Sequence, residues 1–411
     1  MLRPYRLLAA IPHAPALMTT SLLARLHLPA ISLVLTFLLV DWTGSYAAGG
    51  ALAAALTIGQ AVAGPLRGRA ADRASPSKVL VITGCLWCLG FLLTALLAGG
   101  VLPAGRWWLL LPVVFATGLA SPPTAQVGRA MWLRVADGPA RQAAFAVEST
   151  LGELVYVAGP MLAAFIVAAQ GPLVAAVWCA VWAVLGPASF AVVLWRAGIR
   201  ETASARVRQR SGSPAAVRGF VRMLGFGCLA MGALICVDLL LVGWARERGE
   251  PALAGILAAL WGIGSLVGGL AVGAVTGRSR LWLRGVLVVL GLVALVPVLP
   301  PVAEPGSPWV VGAVLLIGGT TIAPLLTAAN SRVGELAPEH RRAEAFGWYT
   351  SAATAGAAVA APLSGALLDV AGPAAAAAAA AGFAVGAVCL VAHRSLRESL
   401  SAQSAEHTAA T

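Results

Sequence analysis

Four ionisable side chains lie inside long apolar stretches of this 411-residue sequence, where a charge needs a physical reason to be present. They are Arg25, Glu148, Glu153 and Asp238. An ionised group at the centre of a membrane-spanning helix costs roughly 2.5–3.5 kcal/mol on insertion scales. Such groups usually pair with one another or lie on the path of a substrate, ion or proton. These four residues are therefore our candidates for handling a proton or a substrate.

The spacing of three of these charges predicts two different roles. Arg25 and Glu148 fall at similar depths in their stretches, so they can pair. Glu148 and Glu153 are five positions apart, roughly 140° around a helix, so they do not share one face. We expect one glutamate to form a structural pair with Arg25 and the other, preferably Glu153, to face a cavity and exchange a proton.

Structural alternatives remain open for each of the four. The Arg25 side chain can extend to the membrane interface, and Glu148 is shallow enough to pair with the arginines that flank its stretch. Glu153 can have a purely structural role as a hydrogen-bond partner, without exchanging a proton. Asp238 can lie near the outer interface, where a charge costs less, rather than contact a substrate.

The composition indicates that these residues are positioned by membrane-spanning helices. The chain is 59% hydrophobic and 11% charged, with a mean hydropathy of +0.87. Soluble domains carry about 25% charged residues, so a soluble enzyme, a nucleic-acid-binding module and a disordered scaffold are all disfavoured. A bilayer core requires about 20 apolar residues per helix. We predict an all-α protein with twelve spans, at about 17–40, 46–66, 79–99, 107–128, 142–169, 172–195, 223–244, 252–276, 284–301, 308–330, 343–367 and 373–392.

The distribution of basic residues predicts the orientation. The net charge is +12, with 28 lysines and arginines. All of these except Arg25, Arg106, Arg246 and Arg248 fall in one set of alternating loops or at span ends beside it. Cytoplasmic loops carry such an excess, so we expect a multi-pass protein of the cell membrane with both termini in the cytoplasm.

The chain divides into two halves around a polar, arginine-rich stretch. We predict an N-terminal six-helix bundle at 1–195, a cytoplasmic linker at 196–222, a C-terminal six-helix bundle at 223–395 and a disordered cytoplasmic tail at 396–411. The linker arginines have no aromatic residues among them on which a base could stack. Anionic lipid is therefore a better partner for them than nucleic acid.

The two halves repeat one another, which supports this division. The segment Gly64-Pro-Leu-Arg-Gly68-Arg-Ala-Ala-Asp72-Arg73 follows the second span. Gly269-Leu-Ala-Val-Gly273-Ala-Val-Thr-Gly277-Arg278 follows the eighth span with the same glycine spacing. Duplicated six-helix units are typical of transporters that build a site where the two repeats meet.

These features together resemble the major facilitator superfamily over essentially the whole chain. Gly68, Asp72, Arg73 and Lys78 are similar to the motif of that family's loop between the second and third helices, with Gly64 one turn earlier. Ser75-Pro76-Ser77 replaces its usual Gly-Arg-Arg. The resemblance implies that Asp72 helps to hold the two halves together in one conformation. A carboxylate beside a helix N-terminus would suit that role, and the eleventh span begins near Ala343. Capping of a loop with pairing to Arg73 is the alternative.

A second motif lies in the fifth span. Gly152, Gly159 and Pro160 resemble a packing motif of the family's exporters and antiporters, although Val155 and Ala163-Ala164 replace three of its glycines. The fourth-helix Arg-x-x-Gln-Gly signature of drug–proton antiporters is absent, since Gly118-Leu-Ala-Ser-Pro-Pro-Thr-Ala-Gln126 stands there.

The sequence indicates no cofactor, metal or catalytic site. Cys85 and Cys88 have a metal-like spacing, but no second pair completes a ligand set. The chain contains no phosphate-binding loop or nucleophile elbow. We therefore expect a monomeric secondary transporter, not an enzyme, that exports a small amphipathic or apolar molecule in exchange for protons. Import of a small metabolite, or a non-transporting receptor or regulatory role, is the alternative.

Overall fold

The fold is entirely helical over the described part of the chain. The computed structural model describes residues 3–199, 214, 217, 219–274, 280–304 and 307–409. Twelve helical segments in this part are long and apolar enough to cross a membrane. The predicted fold class, an all-α polytopic membrane protein with twelve spans, is thereby confirmed. Helices suit this setting because each satisfies its backbone hydrogen bonds internally.

The described part of the first half of the chain contains nine α-helices, of which α1 precedes the first span. Their bounds are α1 (Arg3–Ala9), α2 (Ala14–Leu23), α3 (His27–Thr43), α4 (Tyr46–Arg73), α5 (Pro76–Leu96), α6 (Leu110–Leu119), α7 (Thr124–Val135), α8 (Gly138–Gln170) and α9 (Pro172–Arg196). The second six spans comprise α10 (Phe220–Glu247), α11 (Pro251–Ala274), α12 (Leu281–Val293), α13 (Trp309–Gly319), α14 (Ile322–Leu336), α15 (Arg342–Ala371) and α16 (Pro373–Ala409).

The first and fourth spans are each built from two helices, and prolines explain both breaks. Pro29 has no N–H to donate to the carbonyl of Arg25, four residues earlier. Leu28 donates to that carbonyl instead, at 2.9 Å, and Arg25 lies at the junction between α2 and α3. In the fourth span, Pro122 and Pro123 separate α6 from α7 in the same way.

The chain forms two compact units. Unit 1 comprises residues 1–214 together with 334–351, and unit 2 comprises 215–333 together with 352–411. The division between the units therefore falls within α14 and within α15. The first residues of α15 pack in unit 1 with α4 and α7.

Unit 1 has an apolar interior in which glycines allow helices to approach closely. Trp87 stacks on Phe91 with ring centroids 4.7 Å apart, and both are fully buried. A Cβ at Gly59 of α4 would collide with the carbonyl oxygen of Phe115 in α6. Small residues are the usual means of helix association in membranes, because lipid offers no hydrophobic drive between helices.

Unit 2 uses the same packing device. A Cβ at Gly264 of α11 would meet the carbonyl oxygen of Leu316 in α13, and one at Gly356 of α15 would meet that of Cys228 in α10. The Ser265 hydroxyl accepts a hydrogen bond from the backbone N–H of Ala323 at 3.1 Å.

Two sequence expectations fall largely outside the described residues, and a third concerns a stretch that is helical in the structure. The predicted linker at 196–222 and the second repeat motif at Gly277-Arg278 lie largely outside the described residues. Helix α16 continues through Ala409, so it includes most of the stretch for which the sequence predicts a disordered tail.

Candidate functional site

A buried ion pair joins the first and fifth spans inside unit 1. Arg25 Nη2 donates to Glu148 Oε1 at 2.8 Å and to the Ser21 hydroxyl at 2.7 Å. Arg25 is 8% exposed and Glu148 is 3% exposed. Gly128 makes room for this pair, because a Cβ there would lie 2.9 Å from Arg25 Nη2. The structure therefore contains the Arg25–Glu148 pair that their similar depths in the sequence allowed.

A second arginine, which sequence reasoning missed, lies beside the same carboxylate. Arg129 Nε lies 3.6 Å from Glu148 Oε1, and Arg129 Cζ lies 6.0 Å from the centroid of the Phe346 ring. We predicted that the fourth span would end at residue 128, which places Arg129 in a loop. The helix continues to Val135 instead. The stop signal was visible further on, where Asp137, Gly138 and Pro139 follow the helix.

Several polar atoms in this cluster have no hydrogen-bond partner in the described part of the chain. They are Arg25 Nε, Arg129 Nε and Glu148 Oε2. The cluster holds two guanidinium groups and one carboxylate. These three side chains therefore carry one net positive formal charge, and an uncompensated charge away from water is costly.

At the end of α4, the carboxylate of Asp72 caps the N-terminus of α15. Asp72 Oδ1 accepts a hydrogen bond from the Ala343 N–H at 3.2 Å, and Oδ2 accepts one from the Glu344 N–H at 2.8 Å. Arg134 Nη2 lies 3.8 Å from Asp72 Oδ1. The first N–H groups of a helix have no partner within it, and the helix dipole favours a negative charge there.

Charged side chains reinforce the same junction. Glu344 is fully buried and accepts hydrogen bonds from Arg69 at 2.7 Å and from Arg341 at 2.7 Å. Arg342 donates to the carbonyl of Leu133 at 3.0 Å. Arg69 thus ties the start of α15 to α4 and Arg342 ties it to α7, whereas Arg341 is a local partner of Glu344.

The glycines of the predicted motif permit this close approach, whereas its basic residues lie outside it. A Cβ at Gly64 would lie 2.5 Å from the Ser351 hydroxyl, and one at Gly68 would lie 2.7 Å from the Cα of Glu344. Arg73 and Lys78 are exposed. The alternative in which Asp72 pairs with Arg73 is not the arrangement seen, since the ion-pair partner of Asp72 is Arg134.

The two remaining candidates lie on α8 and α10. Glu153 is half-buried on α8, five residues beyond Glu148. Asp238 is exposed on α10 and belongs to unit 2.

The two glycines of the predicted packing motif in the fifth span differ in their surroundings. A Cβ at Gly159 would lie 2.5 Å from the carbonyl oxygen of Leu26, so this glycine lets α8 pack against the break in the first span. Pro160, which follows it, lies within α8. A Cβ at Gly152 would meet nothing within 4 Å. Close packing of α8 therefore depends on Gly159 and not on Gly152.

A third buried arginine holds the broken end of α6. Arg67 is 8% exposed, although we placed it in a loop. It donates to the carbonyls of Gln60 at 2.7 Å, Gly118 at 3.3 Å, Ala63 at 3.3 Å and Ser121. The last carbonyls of a helix have no partner within it, so Arg67 satisfies the end of α6 where Pro122 prevents its continuation.

Comparison with known families decides the identity of the fold. A family model described as Major Facilitator Superfamily matches residues 17–320 and again residues 223–410. The chain belongs to the major facilitator superfamily. It is a multi-pass membrane protein, and membership indicates a transporter rather than an enzyme.

Solved structures of other superfamily members share this fold at low sequence identity. A bacterial homologue of the iron transporter ferroportin, in an outward-facing state, has a TM-score of 0.74 at 15% identity, over 93% of this chain and 98% of that one. The human organic anion transporter MFSD10 has a TM-score of 0.67 at 15% identity, over 95% and 99%. The E. coli fucose:proton symporter has a TM-score of 0.66 at 12% identity, over 94% and 98%. Among curated proteins, none matches the chain by sequence.

The described residues contain no group of three His, Cys, Asp or Glu side chains that could hold a metal ion. The candidate site comprises the buried charge cluster at Arg25, Arg129 and Glu148 and the capped junction at Asp72.

Proposed function

We propose that the protein is a secondary active transporter that works by alternating access and exports a small amphipathic or apolar molecule in exchange for protons. The observation that carries this proposal is the junction between Asp72 and the start of α15. Its backbone hydrogen bonds, ion pairs and glycine contacts can be made and broken without unfolding either helix. Reversible contacts of this kind are what a rocking mechanism requires.

We assign the proton to Glu153. Glu148 is engaged by Arg25 and Arg129 at 2.8 and 3.6 Å, so its carboxylate serves the charge cluster. Glu153 lies on the same helix, 140° around it, and is half-buried. A carboxylate at this position can bind a proton on one side of the membrane and release it on the other.

The substrate class follows from the low number of polar groups in the apolar interior. A polyhydroxylated substrate needs many hydrogen-bonding side chains, whereas the described interior is dominated by alanine, leucine, valine and phenylalanine. The close contact at Gly159 supports the resemblance of α8 to the fifth helix of exporters. We propose that the protein acts as a monomer in the cell membrane with both termini in the cytoplasm.

The test is a flux measurement in proteoliposomes with an imposed pH gradient and a panel of labelled amphipathic compounds. Glu153→Gln should abolish uphill flux while downhill exchange of substrate persists. Glu304→Gln is the matched control, since Glu304 is an exposed carboxylate between α12 and α13, and it should behave as wild type.

Each other outcome contradicts part of the proposal. Uphill flux that Glu153→Gln leaves unchanged rules out the assigned proton carrier. Accumulation in the opposite direction indicates an importer. Saturable binding without any flux indicates a receptor.

A further inference from the structure

We propose that Arg129, with Arg25 and Glu148, forms a subsite for the carboxylate of an amphipathic organic anion. The inference rests on the proposed function, because it names the substrate class that this transporter would carry. It adds a residue, Arg129, that sequence reasoning placed in a loop.

The first argument is the balance of charge. Arg25 and Arg129 both have Glu148 as their ion-pair partner, and the two guanidinium groups share one oxygen of that carboxylate. The sharing is unequal, since Arg25 lies at 2.8 Å with a hydrogen bond and Arg129 at 3.6 Å without one. One further monoanion would give each arginine its own carboxylate and bring the cluster to neutrality.

The second argument is the hydrogen-bonding capacity of Arg129. A guanidinium has five N–H donors, and the buried Nε of Arg129 has no hydrogen-bond partner in the described part of the chain. Buried donors without partners are rare and costly. Arg25 Nε and Glu148 Oε2, in side chains that are 10% and 3% exposed, are also without partners in the described part of the chain. A ligand carboxylate offers two acceptor oxygens in the planar geometry that a guanidinium matches.

The third argument concerns what surrounds the guanidinium. The ring of Phe346 lies 6.0 Å from Arg129 Cζ. The Arg129 side chain is 23% exposed, so a ligand can reach it. Aromatic surface beside a cation favours a carboxylate attached to an apolar body over a small inorganic anion.

The experiment measures thermal unfolding of the purified full-length protein in a neutral detergent. The probes are 4-phenylbutyrate, its neutral amide and phenyl phosphate, together with shorter carboxylates down to acetate. 4-Phenylbutyrate should raise the Tm in a saturable manner. The amide should have no effect, and phenyl phosphate should bind more weakly because its second charge would leave the cluster negative.

Variants of two arginines locate the effect. Arg129→Gln should abolish the Tm shift caused by 4-phenylbutyrate. Arg129→Lys keeps the charge but loses the planar pair of donors, so the half-saturating concentration should rise at least tenfold. Arg141→Gln is the matched control. Arg141 pairs with the exposed Asp137, and its loss should leave the shift unchanged.

The proposal is overturned if no carboxylate shifts the Tm, if the amide or phenyl phosphate does so equally well, or if Arg129→Gln retains the shift. If Arg129→Gln is not monodisperse, an unchanged half-saturating concentration in Arg129→Lys is equally decisive against it. Binding in detergent needs no gradient. A carboxylate-dependent shift in the Tm without any flux in proteoliposomes therefore contradicts the transport proposal alone. Flux of neutral compounds without that shift in the Tm contradicts this inference alone.

Discussion

The backbone N–H of Glu344 donates to the carboxylate of Asp72 at 2.8 Å, across 272 positions of sequence. Asp72 is the penultimate residue of α4 and Glu344 is the third residue of α15. One short side chain thus completes the first turn of a helix that begins in the second half of the sequence.

Asp72→Ala should loosen the start of α15. Loss of an N-cap side chain costs about 0.5–2 kcal/mol, and here the attraction of Arg134 is lost as well. We expect faster hydrogen exchange in a peptide covering 339–351, measured by mass spectrometry on the purified protein. Asp72→Asn should lie between Ala and wild type, because an amide oxygen still accepts a hydrogen bond.

Asp137→Ala provides the control for this cap. Asp137 also precedes a helix, α8, but its side chain makes no capping hydrogen bond. Its exchange pattern at 339–351 should match that of wild type. Equal acceleration in the two variants would show that Asp72 contributes no more than any loop carboxylate.

Gly68→Ala should separate α4 from α15. The added Cβ would meet backbone atoms of Ala343 and Glu344, the nearest Cα at 2.7 Å, and backbone cannot move aside as a flexible side chain can. Overpacking of this kind typically costs about 1–3 kcal/mol. A lower Tm in thermal unfolding is the expected result.

Gly152→Ala is the matched substitution in the same unit, and its expected effect on the Tm is opposite to that of Gly68→Ala. Its Cβ would meet nothing within 4 Å, and alanine favours a helix interior by about 1 kcal/mol over glycine. The Tm should rise or stay unchanged. A fall as large as that of Gly68→Ala would contradict the packing described for both glycines.

The sequence predicted the spans well because length and hydropathy determine them directly. It allowed the pairing of Arg25 with Glu148 that the structure contains, because the two opposite charges lie at similar depths, but it left open which glutamate pairs with Arg25. Arg67 and Arg129 were assigned to loops because the hydropathy falls at each of these arginines. The helices continue beyond them, so both side chains lie within helices. Hydropathy alone does not reveal where a helix ends inside polar sequence, and caps such as Asp137-Gly138-Pro139 are the better signal.

Arg67→Lys should destabilise the break between α6 and α7. The guanidinium donates to carbonyls on both α4 and the end of α6, including that of Gln60 at 2.7 Å, whereas an ammonium has only three donors and no planar fork. Buried carbonyls left without donors cost about 1–3 kcal/mol each. Thermal unfolding should show a clear fall in Tm, while Arg73→Lys, at an exposed position on the same helix, should show none.

Glu148→Gln should destabilise the protein more than Arg25→Gln does. Removal of Glu148 leaves two buried guanidinium groups without a carboxylate, and breaking a buried pair costs about 3–5 kcal/mol. Removal of Arg25 leaves Glu148 with Arg129, whose Nε is already 3.6 Å from Oε1, so part of the pairing survives. Thermal unfolding of both single variants and of the double variant measures the coupling. The double variant should be more stable than Glu148→Gln alone, because it removes one of the two unpaired charges. Equal destabilisation by the two single variants would mean that Arg129 does not share the carboxylate.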